Sequence, residues 1–318
     1  MAKNILIIGD EKDPHILSVC KFLNEHDVTI IVLNPVDGNV GNMVYSFSPF
    51  KILFGNIDKT IACNEIDAVW WRLKANARRS PTNMSEAATE NFITREWQMA
   101  LEPLSYFLKD CYWLNKRSAD LQLRNKPYQL YLAGIYGFTI PDTVVSNNYY
   151  AIAEAAEQFN EIMYKPLGYF HSTDGKLLFS NKMSRESLAE SRENIVQAPC
   201  IFQNYVDKDY ELRITLVDTT VFAVKIYSQE NELSKSDWRR NQFDVKFEAI
   251  ELDKAFEEKL VKFHQSIGLV YGAYDFIVDQ NGDYVFLEVN PVGQWLWLER
   301  KLGIQISKQI AHTLLQIN

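Results

Sequence analysis

Three side chains near the C-terminal end of the sequence could bind a cation if a hairpin brings them together: Asp275, Glu288 and Asn290. Between them lies Asn281-Gly282, the pair preferred in a two-residue type I′ turn because both central positions need a positive φ. A turn at these two residues makes Asp275 and Glu288 direct cross-strand neighbours. The same register predicts three further pairs: Gln280 with Asp283, Asp279 with Tyr284, and Ile277 with Phe286.

Side chains alternate between the two faces of a strand, so Asn290 is expected on the face that carries Asp275 and Glu288. The opposite face is predicted to be core and carries Tyr274, Phe276, Val278, Val285, Leu287 and Val289. Because opposed like charges destabilise a sheet, the two carboxylates indicate a compensating cation. Oxygen ligands without a neighbouring His or Cys favour magnesium, which completes its shell with water and nucleotide phosphates. The alternative is an edge hairpin whose acidic side chains are simply solvated.

Composition restricts the class of protein and its partners. The 318 residues are 47% hydrophobic and 23% charged, which is ordinary for a globular protein of two or three domains. The net charge of -8 argues against a general nucleic-acid binder. No apolar run reaches the length of a membrane span, and the opening MAKNILIIGD lacks the pattern of a signal peptide, so we expect a cytoplasmic protein without a membrane partner. Neither the four cysteines nor the five histidines have the spacing of a zinc site.

The order of the predicted elements divides the chain into three parts. Residues 1–115 alternate short apolar runs with helical patterns, which is typical of a parallel α/β layer. Residues 116–200 predict a small α+β module, and residues 201–318 predict long β-strands, the carboxylate hairpin and a closing helix. The first strand-to-helix turn reads GDEKDP and lacks the G-x-G-x-x-G of dinucleotide-binding domains, so we expect a Rossmann-like layer without its dinucleotide loop.

Basic side chains upstream of the hairpin could neutralise a polyphosphate beside such a metal. Lys126 begins a predicted helix, and Lys165 ends a predicted strand before the turn in KPLGY. Arg239 and Arg240 precede Asn241 in SDWRRNQF, and an Arg there could make a bidentate contact with phosphate. For each of these residues the alternative is an ordinary solvated surface charge.

A further basic segment, RLKANARR, and the tryptophans have two interpretations each. The segment could attract an acidic peptide, or it could be a solvated loop, which is the commoner outcome. Its charged residues are Arg72, Lys74, Arg78 and Arg79. Four of the tryptophans could line a groove, although burial in the core is the commoner outcome. They are Trp70, Trp71, Trp295 and Trp297.

The order of these parts resembles the ATP-grasp ligases, most closely their RimK-like branch. The resemblance covers about residues 113–300 and rests on Lys126 before a helix, Lys165 at a strand end, IFQNYV followed by ELR, DWRRN, and the carboxylate hairpin. Within that branch, NPVGQW, VWWRL and the GDEKDPH opening look like the peptide maturases that make microviridin-type macrocycles, the graspetides, over nearly the whole chain. The resemblance implies a three-part ATP-grasp fold, α/β and α+β in class. Its parts would be a Rossmann-like pre-ATP-grasp domain at 1–115, a central subdomain at 116–200 and a C-terminal subdomain with the metal site at 201–318.

The resemblance also implies ATP and Mg²⁺ as cofactors and a role for each candidate residue. Phosphate contacts would come from Lys126, Lys165, Arg239 and Asn241, with Lys165 and Arg239 as the catalytic groups. Adenine would be held at a hinge made of Gln203, Asn204, Tyr205 and Val206, and the ribose hydroxyls would be held by Glu211. Magnesium would be bound by Asp275, Glu288 and Asn290. The chain departs from the superfamily pattern at Asn204, where an acidic residue is common, and in the loop GYFHSTDGKLL, which is not Gly-rich.

ATP-grasp chemistry needs no protein nucleophile, because its work is positioning and charge neutralisation. A substrate carboxylate attacks the γ-phosphate of ATP, an acylphosphate forms beside ADP, and a second nucleophile displaces phosphate. For a maturase, the carboxylate is an Asp or Glu side chain of a ribosomally made precursor peptide, and a Ser/Thr hydroxyl or Lys amine of the same peptide closes an ester or amide ring. The resemblance further implies a homodimer.

Two other functions stay open at this point. One is a RimK-like ligase that adds an amino acid to a protein or a small acid. The other is a nucleotide-binding sensor without catalysis, against which the intact set of Asp275, Glu288 and Asn290 argues. A nicotinamide oxidoreductase is disfavoured by the missing glycine fingerprint.

Overall fold

The computed structural model describes residues 2–35, 42–55, 60–73, 84–168, 180–230 and 245–315. The first part contains β1 (Lys3–Ile8), α1 (Pro14–Leu23), β2 (Val28–Leu33), β3 (Asn42–Phe47), β4 (Phe50–Gly55), β5 (Thr60–Ala62), β6 (Ala68–Trp71), α2 (Met84–Leu101), α3 (Leu104–Phe107) and β7 (Tyr112–Leu114). The middle part contains α4 (Arg117–Gln122), α5 (Lys126–Ile135), β8 (Thr143–Ser146), α6 (Tyr149–Glu157), β9 (Ile162–Lys165), β10 (Asn181–Met183), α7 (Arg185–Glu190), α8 (Arg192–Ile195) and β11 (Cys200–Asn204). The last part contains β12 (Lys208–Val217), β13 (Thr220–Ile226), β14 (Phe247–Ile250), α9 (Lys254–Ser266), β15 (Tyr271–Asp279), β16 (Tyr284–Asn290), α10 (Leu296–Leu302) and α11 (Ile306–Leu315).

The N-terminal layer is a parallel sheet in the order β2-β1-β6-β7, as predicted. Leu6 and Ile7 in its centre are completely buried, because helices or other elements cover both faces of such a sheet. Helix α1 begins after Asp13, whose carboxylate accepts a hydrogen bond from the backbone N–H of His15. A second, antiparallel sheet in the order β3-β4-β5 packs on this layer and was not predicted.

The central part forms an antiparallel sheet in the order β10-β9-β11-β8. Phe202 of β11 is completely buried and packs with Ile152 of α6, Leu188 of α7 and Ile195 of α8. These helices therefore cover one face of the sheet. The α+β module predicted here matches this arrangement.

The C-terminal sheet is antiparallel, in the order β14-β13-β12-β15-β16. One face packs on α5 and α9 around Phe263, Phe276 and Phe286. Part of the other face shares a core with the N-terminal layer, in which Ile7 of β1 and Tyr271 of β15 both lie. Helix α11 packs against α1, so the C-terminal end of the chain is joined to its first helix. Among the helices in the described ranges, none has the length and apolar character needed to cross a bilayer.

The carboxylate hairpin forms, but its turn differs from the prediction. Asn281 does not have a positive φ, which excludes a type I′ turn, and the backbone N–H of Gly282 donates to the carbonyl of Asp279 at 3.1 Å. The Asp279 carboxylate accepts the backbone N–H groups of Asn281 and Asp283, a local bond that favours this wider loop. The observed pairs are Val278 with Tyr284, Ile277 with Val285, and Phe276 with Phe286, so the three pairs predicted near the turn were wrong.

A β-bulge between Asp275 and Phe276 then adds one residue on β16, and Asp275 pairs with Glu288 as predicted. Because of the bulge, Phe286 joins the core face, in place of the predicted Val285 and Leu287. The bulge thus compensates for the longer turn. The predicted register is therefore correct at the two carboxylates and is shifted by one residue between the bulge and the turn.

Candidate functional site

Asp275, Glu288 and Asn290 lie together on one face of the C-terminal sheet. The amide nitrogen of Asn290 is 3.1 Å from Oε1 of Glu288 and 3.5 Å from Oδ2 of Asp275. The carboxylate side chains are 26% and 18% exposed for Asp275 and Glu288, so both can be reached from solvent. Within the described ranges there is no group of three His, Cys, Asp or Glu residues suited to a metal. The candidate metal ligands are therefore two carboxylates and one amide, all with hard oxygen atoms.

Arg213 of β12 is a member of this site that the sequence did not reveal. It lies opposite Asp275 in the sheet, and its Nη1 is 2.9 Å from both oxygens of the Asp275 carboxylate. Burial lowers the pKa of Arg213, but the charge and hydrogen bond of Asp275, together with the nearby Tyr271 and Glu288, raise it overall. Its position two residues after Glu211 was a usable signal, because alternate residues of a strand share a face.

The two candidate phosphate lysines occupy different parts of the fold. Lys126 is the first residue of α5, which Asn125 caps by accepting the N–H of Tyr128, and its Nζ is 3.4 Å from Oε2 of Glu288. Lys165 ends β9 in the central sheet and lies beside Ile201 of β11. Lys126 therefore belongs to the carboxylate site by direct contact. Lys165 belongs to the central sheet, and its contact with phosphate stays a prediction.

The hinge residues join the central sheet to the C-terminal sheet and are held by local hydrogen bonds. Gln203 is 3% exposed and donates through Nε2 to Thr143 Oγ1 at 2.8 Å. Its Oε1 is buried and has no hydrogen-bond partner in the part of the chain that the structure describes. A buried acceptor without a partner is unfavourable, so this oxygen is suited to a ligand that donates a hydrogen bond.

The next three residues of the hinge contact the central part. Asn204 accepts the backbone N–H of Asn160 on its Oδ1 at 3.0 Å, so this side chain is engaged within the protein. The backbone N–H of Tyr205 donates to the carbonyl of Glu161 at 2.8 Å, and Val206 is half-buried in the irregular stretch that follows. The Asn204 bond gives a structural role to the residue that departs from the superfamily pattern.

Glu211 lies on β12 and shares the face of Arg213. Its Oε1 is 2.6 Å from Nζ of Lys208, which is only 5% exposed. Glu211 also pairs with Ile277 of β15, two residues from Asp275. Alternation along the strand does not predict Lys208 as the partner of Glu211, because the pair forms across a bulge in β12.

Several residues singled out from the sequence cannot be placed. Arg239, Asn241, the loop GYFHSTDGKLL beyond Gly168, and Lys74, Arg78 and Arg79 all lie outside the described residues. For Arg72, the prediction of a solvated or peptide-attracting basic loop was wrong, because this residue is only 2% exposed. Its guanidinium lies 4.8 Å from the ring centroid of Trp295. Trp70, Trp71 and Trp295 are buried, which supports the core interpretation for these three tryptophans.

A buried arginine, a lysine at a helix start and an amide thus surround two opposed carboxylates on an antiparallel sheet. A family model for the RimK-like ATP-grasp domain matches residues 136–314 of this chain. No curated protein shows significant similarity to it.

Several solved structures are similar to this chain over nearly its whole length. A RiPP-associated ATP-grasp ligase from Chryseobacterium gregarium, solved with ADP and a leader and core peptide, is 27% identical with a TM-score of 0.84, over 98% of this chain and 96% of that chain. The macrocyclase MdnC from Microcystis aeruginosa MRC, bound with the precursor peptide MdnA, is 27% identical with a TM-score of 0.82, over 98% and 99%. The macrocyclase MdnB from the same organism is 24% identical with a TM-score of 0.78, over 99% of each chain, and supports the fold alone.

The family match covers more than half of the chain and includes every described candidate ATP-binding or metal-binding residue except Lys126. The three-part ATP-grasp fold expected from the sequence is confirmed by these matches. The chain therefore belongs to the RimK-like ATP-grasp family.

Proposed function

We propose that this protein is an ATP-dependent ligase that activates Asp or Glu side chains of a ribosomally made precursor peptide and closes ester or amide rings within it. The observation that carries this proposal is the convergence of Asp275, Glu288 and Asn290 with Arg213 and Lys126. The similarity to a Chryseobacterium gregarium ligase solved with ADP and a leader and core peptide supports the peptide substrate.

The residues present fit magnesium and ATP. Two carboxylates and an amide oxygen are the donors that magnesium prefers, and when bound it would offset the charge of the phosphates. Gln203 Oε1, which lacks a hydrogen-bond partner within the described residues, would accept a hydrogen bond from the adenine amino group. Glu211 would accept the ribose hydroxyls, and Asn204, Tyr205 and Val206 would border the base.

Charge neutralisation is the main task of the protein groups in this reaction. Lys126 and Lys165 would hold the phosphates, with Arg239 and Asn241 beside them. Arg213 would hold Asp275 in place through the contact with both carboxylate oxygens. None of these groups needs to act as a nucleophile, since both nucleophiles come from the peptide.

The chemistry proceeds in two balanced steps. A carboxylate oxygen of the peptide attacks the γ-phosphorus, the bond from that phosphorus to the β–γ bridging oxygen breaks, and ADP leaves. A hydroxyl or amine of the same peptide then attacks the acyl carbon, the bond from that carbon to the phosphate oxygen breaks, and inorganic phosphate leaves. The attacking group loses its proton to solvent. Each ring therefore lowers the peptide mass by one water.

The first experiment is calorimetric binding of the ATP analogue AMPPNP over a range of magnesium concentrations. We expect the variant Asp275→Asn/Glu288→Gln to lose the magnesium-dependent part of the affinity. A matched control is Asp283→Asn/Glu251→Gln, which removes the same two charges from exposed positions and is expected to bind as the native chain does. Equal binding by all three proteins would exclude the hairpin as the metal site.

The second experiment is mass spectrometry of a precursor peptide after incubation with the protein and Mg-ATP. Peaks lighter by one water per ring support ring closure. When free amino acids are added to the mixture, a mass gain of one amino acid less one water would instead support the RimK-like addition of a residue. ATP binding without either product would contradict catalysis and favour a nucleotide sensor.

The homodimer, the division into three domains and the cytoplasmic location remain predictions. Light scattering at micromolar concentration tests the dimer directly, because a monomer has a mass of 36.9 kDa. Limited proteolysis tests the boundaries near residues 115 and 200, where cleavage is expected if these parts are separate units.

A further inference from the structure

Strand order in the N-terminal layer reverses at one point, where sheets of this kind usually bind a ligand, and Arg72 and Trp295 meet beside this point. From β1 the chain passes to β2 on one side of it, and it later returns to β6 on the other side. The direction of strand order therefore reverses between β1 and β6. Arg72 follows β6 at this point and is 2% exposed. The Trp295 ring, which belongs to the C-terminal part, lies 4.8 Å from the Arg72 guanidinium. The C-terminal part thus contacts the N-terminal layer at the residue that follows β6.

Two arginines from different parts of the fold bind consecutive carbonyl groups of segment 292–294. Arg72 Nη1 donates to the carbonyls of Val292 at 2.7 Å and Gly293 at 2.9 Å. Arg213 Nη2 donates to the carbonyl of Gln294 at 3.2 Å. Three successive carbonyl oxygens are therefore held by two buried guanidinium groups.

The same segment is held by further side chains. Tyr271 donates its hydroxyl to the Gly293 carbonyl at 3.0 Å, and burial raises the pKa of Tyr271 to about 12, so the hydroxyl keeps its proton. The Nε2 atom of His15 accepts the backbone N–H of Trp295 at 3.3 Å. Every contact fixes the backbone path that leads from Asn290 into α10.

Asp13 supplies the counter-charge on the N-terminal side. Its Oδ1 is 2.8 Å from Nδ1 of His15, and its Oδ2 is 3.6 Å from Nε of Arg72. Nε and Nη2 of Arg72 make no hydrogen bond to any residue that the structure describes. The strongest interactions of Arg72 are therefore with segment 292–294 and with Asp13.

We propose that Arg72 is a positioning residue of the active site, which clamps segment 292–294 and thereby sets the geometry of Asn290, Arg213 and Asp275 for magnesium. The inference rests on the proposed function for the metal and on the contacts above for the clamp. Segment 292–294 begins two residues after Asn290, and Arg213 contacts both this segment and Asp275. A loosened segment would displace Asn290, which lies just before it, and would also displace Arg213, the partner of Asp275, through the Gln294 carbonyl.

The test compares Arg72→Lys with the control Arg117→Lys. Lysine keeps the charge beside Asp13 but lacks the planar group that reaches two carbonyls and stacks on a ring. Arg117 resembles Arg72 in its neighbours but lies elsewhere in the fold. Its guanidinium lies 4.1 Å from the Trp71 ring and pairs with Asp120 at 2.5 Å. Both substitutions remove an arginine that stacks on tryptophan, and only one of these arginines contacts segment 292–294.

Two measurements are made on each full-length protein: AMPPNP affinity as a function of magnesium concentration, and hydrogen exchange of the peptide covering residues 291–298. For Arg72→Lys we expect the magnesium-dependent part of the affinity to fall about ten-fold, the size typical of residues that orient metal ligands, with faster exchange confined to this peptide. For Arg117→Lys we expect native values in both. Native magnesium dependence together with native exchange in Arg72→Lys would overturn the proposal.

Failure of the proposed function would be visible separately. If the native chain itself shows no magnesium-dependent AMPPNP binding, the metal site is wrong, and hydrogen exchange alone then tests the clamp. Unchanged exchange in Arg72→Lys overturns the clamp, and faster exchange in residues 291–298 supports it. If Arg72→Lys does not fold, Asp13→Asn/Arg72→Met removes both charges together, and the same two outcomes apply.

Discussion

Arg213 and Asp275 lie directly opposite each other on β12 and β15, with one guanidinium nitrogen 2.9 Å from both carboxylate oxygens. Lys126, the first residue of α5, lies 3.4 Å from Glu288 on the neighbouring strand β16. Each of the two opposed carboxylates thus has a cation supplied by the chain itself. This explains how the hairpin folds in spite of the like charges that face each other across it.

The first prediction concerns the arginine of this pair. Arg213→Met is expected to lower the free energy of unfolding by about 2–4 kcal/mol, because removing one partner leaves the Asp275 carboxylate only partly solvated. Urea unfolding measures the change. Arg185→Met is the control, since Arg185 donates to the carbonyls of Ala156 and Phe159 and to no carboxylate of the described residues. A loss no larger than that of the control would contradict the prediction.

The second prediction concerns the close approach of the backbone at Gly293. A Cβ atom there would lie 2.4 Å from the Cβ of Ala273 and 3.0 Å from Nη2 of Arg213, which leaves no room without a backbone shift. We expect Gly293→Ala to lower the free energy of unfolding by about 1–3 kcal/mol through overpacking. Gly168→Ala is the control, because no atom of the described residues lies within 4 Å of its Cβ position. Thermal unfolding of both variants checks the difference, and equal stability would argue against the packing described here.

The third prediction is a loss of stability in acid that depends on Asp13. Burial alone would raise the pKa of Asp13, but the hydrogen bond with His15 and the charge of Arg72 outweigh it and hold the pKa well below its ordinary range. A depressed carboxylate pKa contributes stability above the unfolded value, near pH 4, and this contribution is lost as the pH falls below it. We expect about 2 kcal/mol to disappear between about pH 4 and pH 2 in the native chain.

Urea unfolding at several pH values checks this against Asp13→Asn. The variant should have a flatter dependence over that range, and the exposed control Asp283→Asn should follow the native curve. An Asp13→Asn curve parallel to the native one would show that the Asp13 carboxylate is not stabilised in the folded state.

The fourth prediction concerns His264, which is completely buried and 2.9 Å from the hydroxyl of Tyr274 through Nδ1. Burial lowers the pKa of His264 to about 4, whereas the unfolded value is 6.5. Below pH 6.5 the unfolded chain therefore binds a proton that the folded chain refuses until about pH 4. Stability should fall by about 3 kcal/mol over this range, which lies above the range of Asp13.

His264→Gln is expected to remove this dependence, and the exposed His26→Gln is expected to keep it. The measurement is the free energy of unfolding at pH 7, 6, 5 and 4. A His264→Gln protein that still loses native amounts of stability between pH 6.5 and 4 would assign the effect to another group.

The carboxylate site could be predicted because its information is local. Asp275 and Glu288 lie on adjacent strands of one hairpin, and alternation along a strand decides which residues share a face. The turn was mispredicted, because the Asp279 carboxylate binds the loop backbone and favours a wider turn than Asn281-Gly282 alone indicates. The β-bulge beside Asp275 restores the register, which is why the site residues were right while the core face near Phe286 was not.

By itself, the amino-acid sequence determined the alternating pattern of the hairpin, the parallel character of the first layer and the order of motifs that indicates the family. Only the tertiary structure decided which cations meet the carboxylates and that Arg72 is buried rather than solvated. Arg72 and Val292 are 220 positions apart, and Arg213 and Asp275 are 62 apart. Local periodicity cannot encode such contacts, because they depend on how sheets from different parts of the chain pack and on the register between strands that are distant in sequence.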